Sequence, residues 1–153
     1  MISAGEMAPD FTAMTDADES ITLSKLRGKP VVLFFYPKDD TSGCTAEACS
    51  FRDALPRFTG MKATVLGVSP DSAKSHRKFK EKFELPYPLV VDENHAIADA
   101  YGVWAQKSMY GRKYWGNLRT TFVIGADGRV ARVFEKVKPE EHATEVAAAV
   151  AAL

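Results

Sequence analysis

The run Val31-Val32-Leu33-Phe34-Phe35-Tyr36 constrains the chain most. It is β-branched and aromatic, with no polar residue alternating through it, so it cannot lie on a sheet with one wet face. It fits a central strand covered on both faces. Such a strand needs helices on both sides, and the rest of the sequence supplies them. Thr64-Val65-Leu66-Gly67-Val68-Ser69 and Leu89-Val90-Val91 read as further buried strands. Between them, Thr41 and Ser42 are N-cap types ahead of a helix from Cys44 to Leu55, stopped by Pro56. Pro70-Asp71-Ser72 starts a second helix with Phe79 and Phe83 on its apolar face. A short third helix, His95 to Tyr101, ends at Gly102.

The remaining segments close this order. Phe11–Met14 and Ser20–Leu23 flank a polar turn and predict an N-terminal hairpin. Thr120–Ile124 and Val130–Phe134 flank Gly125-Ala126-Asp127-Gly128, a second hairpin signal. Pro139 opens a last helix with Val146, Val150 and Leu153 as its buried stripe. Strands alternating with helices and ending in an antiparallel hairpin predict an α/β fold. Its form is a thioredoxin-like sandwich with a mixed central sheet, helices on both faces and an N-terminal β-hairpin extension. With 153 residues and no linker or repeat, residues 1–153 are expected to form one domain.

Charge and cysteine count narrow the function. Lys+Arg and Asp+Glu are 20 each, so the positive excess that nucleic acid or an anionic membrane surface requires is missing. The mixed basic and aromatic stretch Lys107–Trp115 therefore reads as a solvated loop over the edge of a site, rather than a single-strand-binding surface. Met1–Phe11 has neither a basic nor an apolar leader pattern, and no run is long enough for a membrane helix. The expectation is a cytoplasmic protein with no membrane partner. Two cysteines, Cys44 and Cys49, cannot make a four-thiolate zinc site, and His76, His95 and His142 are scattered. His76 reads as a surface or capping histidine. No metal site is expected. In a reducing compartment, two close cysteines point to redox chemistry.

The chemistry concentrates in Tyr36-Pro37-Lys38-Asp39-Asp40-Thr41-Ser42-Gly43-Cys44-Thr45-Ala46-Glu47-Ala48-Cys49. Here a buried strand hands over to a helix, where α/β proteins place reaction sites. Cys44 falls on the first helical turn, among unpaired N–H groups and the positive end of the dipole. That setting favours a thiolate, the reactive form of cysteine. Pro37 fixes the backbone entering the loop, Gly43 removes bulk beside the sulfur, and the Thr41 hydroxyl can hold the sulfur or a substrate oxygen. Glu47, one turn on, is either a helix-stabilising acid or a partner for an arginine. The competing reading makes Cys44 and Cys49 plain core residues. A cap, a glycine and a second cysteine on one short loop weigh against it.

These residues resemble the peroxiredoxins, specifically their bacterioferritin comigratory protein, or peroxiredoxin Q, branch. The carrying pattern is Pro37-x-x-x-Thr41-x-x-Cys44, with Cys49 five residues on. Val68-Ser69-Pro70-Asp71-Ser72, Ser75-His76, Lys78-Phe79, Tyr87-Pro88-Leu89, Tyr101-Gly102-Val103-Trp104 and Arg119-Thr120-Thr121-Phe122 extend it along the whole chain. Trp115 departs from it, where methionine is commoner. The resemblance implies a thiol peroxidase acting on hydrogen peroxide and organic hydroperoxides. Cys44 would be the attacking thiolate, with Thr41 and Pro37 shaping its pocket and Arg119 the distal arginine. Cys49 would resolve the sulfenic acid as an intramolecular disulfide, with thioredoxin or a similar dithiol as reductant. The resemblance also implies no cofactor and a monomer. Without it, Arg119 could not be chosen over Arg52. Two other readings stay open: a thioredoxin-like disulfide oxidoreductase, which normally uses a closer cysteine pair, and a non-catalytic binding module. An intact helix from Cys44 through Cys49 would hold the two thiols too far apart to bond, so the disulfide is expected to require local unwinding.

Overall fold

The computed structural model describes residues 1–153. A small antiparallel hairpin of β1 (Thr12–Met14) and β2 (Ser20–Thr22) opens the chain. The central sheet has five strands: β3 (Val31–Phe35), β4 (Thr64–Ser69), β5 (Leu89–Val91), β8 (Thr120–Ile124) and β9 (Val130–Glu135). Their order across the sheet is β5-β4-β3-β8-β9. β3 pairs in parallel with β4 and antiparallel with β8, so the mixed sheet changes direction at its most buried strand. This is the expected thioredoxin-like sandwich.

β3 divides the core by strand alternation. Val32, Phe34 and Tyr36 face one side, with helices α1 (Ser42–Gly60), α2 (Ala73–Phe83) and α4 (His142–Ala151). Val31, Leu33 and Phe35 face the other, with α3 (Ala96–Tyr101) and the N-terminal segment. The Phe34 ring stacks on Phe51 of α1 at 4.6 Å between centroids and meets Tyr87 edge-on. Gly67 makes room for it: a Cβ there would lie 2.9 Å from both Phe34 Cζ and Leu89 Cδ2. Truncating Phe34 to alanine would cost about 3–5 kcal/mol, the usual range for a fully buried phenylalanine.

Four expectations need correction. First, α1 does not stop before Pro56; it runs through it to Gly60. The proline ring faces solvent and removes one helical hydrogen bond, a cost of about 3 kcal/mol. Full burial of Phe58 just beyond it, against Phe51, offsets that loss. Second, Lys107–Trp115 is not a loop. Strands β6 (Trp104–Met109) and β7 (Arg112–Asn117) form an antiparallel hairpin through Tyr110-Gly111, both at positive φ as a tight type I′ turn requires. Third, Leu153 is mostly exposed; α4 begins at His142 and buries Ala143, Val146, Ala147 and Val150 instead. Fourth, His76 is wholly buried on α2.

Candidate active site

The site assembles where β3 ends and α1 begins. The Asn117 side chain, at the end of β7, donates to the Tyr36 carbonyl at 3.3 Å and fixes the end of β3. Pro37 to Thr41 then turn the chain, with Asp40 in the left-handed region at φ 57°. Thr41 is the N-cap residue of α1, extended, with no side-chain bond to the helix. Its hydroxyl donates instead to the Lys38 carbonyl at 3.0 Å, closing the loop on itself. It makes no hydrogen bond to the sulfur, one of its two expected roles; the other, holding a substrate oxygen, is unaffected. Pro37 lines the same loop, half-buried. Because no side chain caps α1, its first-turn N–H groups face outward as donors for an anion or a polar oxygen.

Cys44 is buried on that first turn, and its sulfur carries a charged partner. Arg119, from the segment between β7 and β8, donates from Nη2 to Cys44 Sγ at 3.3 Å. Its Nη1 donates to Glu47 Oε1 at 2.8 Å. One guanidinium thus spans Cys44 and Glu47, one helical turn apart. Gly43 permits the approach: a Cβ there would stand 3.1 Å from Arg119 Nη2. Arg52, the other candidate arginine, is engaged elsewhere, with Asp53 and the Phe83 carbonyl.

Glu47 is an unusual carboxylate. It is fully buried, and its Oε2 has no hydrogen-bond partner. Burial pushes its carboxyl up to about 7, against the opposing charge of Arg119. Of the two roles its sequence position allows, helix-stabilising acid or arginine partner, its geometry is the second. Cys49, also on α1, is half-buried, and neither cysteine is bonded to the other. Tyr87 donates to the Ala48 carbonyl at 2.6 Å, directly between the two thiols in sequence.

Two further neighbours lie outside the expected site residues. The N-terminal end of α4 abuts α1 one residue past Cys49, where the Ala143 N–H donates to Ser50 Oγ at 3.4 Å. Lys107 on β6 is half-buried, and burial followed by the charge of Arg119 pushes its ammonium down. Lysine in an alternating run that reaches a site edge is the signal for it, hidden by reading that stretch as a loop.

A thiol held by a guanidinium at a helix N-terminus can attack a polarised bond, with the guanidinium and free N–H groups meeting charge on the departing atom. The profile of the AhpC/TSA family matches residues 4–133. The chain belongs to the AhpC/TSA family. A peroxiredoxin Bcp of Bacillus subtilis is 46% identical over 144 residues, covering 94% of this chain and 92% of that one. A putative peroxiredoxin bcp of Coxiella burnetii is 46% identical over 145 residues, covering 95% and 96%. Among solved structures, a cysteine-to-serine mutant of PrxQ from Xylella fastidiosa superposes with a TM-score of 0.94 at 36% identity, covering 99% and 97% of the two chains. A bacterioferritin comigratory protein of Xanthomonas campestris, described for its alkyl peroxide reduction activity, superposes at 0.91 with 37% identity, covering 99% and 98%. The branch is therefore Bcp/peroxiredoxin Q, and the protein is a thiol-dependent peroxidase. No helix is long and apolar enough to cross a membrane.

Proposed function

We propose that this peroxiredoxin reduces hydrogen peroxide and organic hydroperoxides through Cys44, with Cys49 as its resolving partner. The observation that carries this reading is the 3.3 Å contact of Arg119 with Cys44 Sγ, made by a guanidinium that Glu47 holds in place. The Cys44 thiolate attacks one peroxide oxygen and forms an S–O bond as the O–O bond breaks. The other oxygen leaves with the bonding pair and takes up a proton, giving water or an alcohol. Arg119 and the α1 N–H groups stabilise the charge developing on it. Gly43 and Pro37 keep the approach to the sulfur narrow, and Thr41 shapes its rim.

Cys44 is then a sulfenic acid. The Cys49 thiol displaces its hydroxyl as water, forming an intramolecular disulfide, and thioredoxin or a similar dithiol returns both thiols by exchange. Five residues apart on a helix, the two Cα atoms lie about 8.7 Å from one another, whereas a disulfide needs about 4.4–6.8 Å. The first turns of α1 must therefore unwind before the bond closes. Resolution inside one chain fits a monomer acting as a single unit over residues 1–153, and the dithiol reductant fits a cytoplasmic setting. The test is addition of one equivalent of hydrogen peroxide to reduced protein. Rapid loss of both thiols, with a Cys44–Cys49 linkage found by peptide mass mapping, supports the reading. Slow thiol loss coupled to fast reduction of a protein disulfide would replace it with a disulfide oxidoreductase.

A further inference from the structure

His76 lies on α2 with no exposure, and both ring nitrogens have partners. Nε2 is 2.9 Å from the Val90 carbonyl of β5, and Nδ1 is 2.7 Å from Asp39 Oδ2. A carbonyl only accepts, so Nε2 carries a hydrogen. Asp39 already receives the Tyr36 phenol on Oδ1 at 2.6 Å and the Ser75 hydroxyl on Oδ2 at 2.8 Å. With Nε2–H committed to a carbonyl, the 2.7 Å contact between Nδ1 and a carboxyl oxygen needs a proton between the two atoms, and carrying it on Nδ1 makes the ring an imidazolium. Placing the bridging proton on Asp39 instead keeps the same count: the pair holds one proton more than a neutral histidine beside a carboxylate.

Asp39 is the buried residue of the loop that leads into α1. Its own N–H donates to Asp71 Oδ2 at 2.8 Å, which also accepts from Ser69 at 2.6 Å. The loop is thus tied to β3 through Tyr36, to α2 through Ser75 and His76, and to the β4–α2 turn through Asp71. Through the ring it reaches β5. Asp39, Asp71 and His76 bring ligand-type atoms within 4.8 Å of one another. Those atoms are already occupied by these hydrogen bonds, so the cluster reads as a clamp and not as a metal site.

We propose that His76 is a positioning residue: as an imidazolium between Asp39 and the Val90 carbonyl, it fixes the Pro37–Thr41 loop and so keeps the first turn of α1 wound around Cys44. This rests on the reading of Cys44 as the residue that peroxide oxidises. Sequence distance hides the link, because His76 lies far along the chain from Cys44. The mechanical route is short: His76 holds Asp39, and Asp39 lies two residues before the helix cap Thr41.

The charged groups acting on His76 are Asp39 from the loop and Asp71 from the β4–α2 turn; β5 presents the Val90 carbonyl, and the Tyr36 phenol, just past β3, reaches the ring only through the other oxygen of Asp39. The Asp40–Lys82 pair lies on the outer, exposed side of the loop. Burial pushes the imidazole down, but Asp39, the Val90 carbonyl and Asp71 outweigh it and the net shift is upward from 6.5. The clamp is therefore complete below the ordinary histidine range and is lost as pH rises through the raised value.

Nitrogen-15 NMR of the reduced wild type reads the ring directly, apart from any activity. Both His76 nitrogens should be protonated at pH 7, with titration on the alkaline side of the ordinary range. A neutral ring at pH 7 overturns the proposal. The kinetic readout is the lifetime of the sulfenic acid after one equivalent of hydrogen peroxide, followed by stopped-flow Trp fluorescence and dimedone trapping. In His76→Gln, disulfide closure should be faster by about three- to tenfold, the scale of one lost hydrogen bond. Wild-type closure should accelerate toward that value over the pH range in which NMR shows the ring losing its proton. If H76Q does not fold, Asp39→Asn carries the same measurement, since it removes the carboxylate that holds the extra proton. Closure at the wild-type rate in either folded variant, with no pH dependence tracking the ring, also overturns it. Mass mapping of the dimedone adduct separates the two levels. An adduct away from Cys44 refutes the peroxidase assignment itself, whereas an adduct on Cys44 with unchanged closure refutes the role of His76 alone.

Discussion

Cys44 and Cys49 lie on one helix, five residues apart, and share nothing else. Cys44 is buried at the uncapped end of α1, with the Arg119 guanidinium 3.3 Å from its sulfur. Cys49 is half-buried, past the first turns, and no side chain donates a hydrogen bond to it. The difference teaches that location on the helix, not residue type, divides the labour. One thiol is hydrogen-bonded by a cation beside free backbone donors that can stabilise charge, while the other has no such bond, only the nearby charge of Arg52, whose donors go to Asp53 and the Phe83 carbonyl.

The sharpest way to break the comparison is to remove each thiol in turn. Cys44→Ser should abolish peroxide consumption entirely. Cys49→Ser should keep the first attack at the wild-type rate but stop as a sulfenic acid, a mass gain of one oxygen on Cys44. Multiple turnover should return only with an added small thiol. If oxygen is found first on Cys49 of the wild type, the two roles are reversed.

A second test removes the cation and leaves both thiols. Arg119→Met should slow peroxide attack by about 10²–10³-fold, the scale for loss of a donor to developing charge. Closure of a disulfide already committed from the sulfenic acid should change far less. A variant that attacks like the wild type would transfer the role to another basic group, with Lys107, whose ammonium already feels the charge of Arg119, first in line. Hydrogen exchange then reads the shared helix itself. Amides of residues 44–51 should exchange at least about tenfold faster in the disulfide form than in the reduced form, since the bond cannot form across intact turns. Equal, strong protection in both would show that the helix stays wound.

The smallest expected effect belongs to Glu47. Glu47→Gln keeps a hydrogen-bond acceptor for Arg119 but removes the charge, and attack should slow by only about three- to tenfold. With a carboxyl raised to about 7, the wild type should show a limb in its rate profile near neutrality that the variant lacks. Stability gives the sign independently. From the unfolded value near 4.5 up to about 7 the folded chain holds the extra proton. The wild type should therefore lose stability relative to E47Q as pH rises across that window. Urea titrations at pH 5 and pH 8 measure it.

Much of this is legible in the chain. The unbroken apolar run of β3 demands cover on both faces, and Cys44 beside Gly43 at a helix start is already a nucleophile candidate. Arg119 is not legible from residues alone, because an arginine before a strand carries no local mark of what it reaches; only the family resemblance selects it. His76 misleads because Ser75-His76-Arg77-Lys78 looks like a solvated face. Yet His76 stands three and seven residues before Phe79 and Phe83, on the same helical stripe, which is the signal that places it inside. Pro56 misleads for the opposite reason. A local rule ends the helix there, while Phe51 and Phe58, two turns apart, carry it on through tertiary packing. The β6–β7 hairpin escapes notice because Tyr110-Gly111 is a weak turn signal beside Asn-Gly, although both residues adopt the positive φ that such a turn needs.

The bond from Tyr87 to the Ala48 carbonyl has a consequence for how far the opening travels. Tyr87 is anchored in the core beneath α1, against Phe34, and does not belong to the part that unravels. When the first turns come apart, the carbonyl just before Cys49 keeps a donor from outside the helix. The fraying then has a stop built into it, one residue short of the second thiol. On the proposed resolution path the chain would loosen enough for Cys44 to swing across, freeing amides up to Phe51 whose acceptors lie in the frayed turns, while the helix from Arg52 on would rewind from a fixed point.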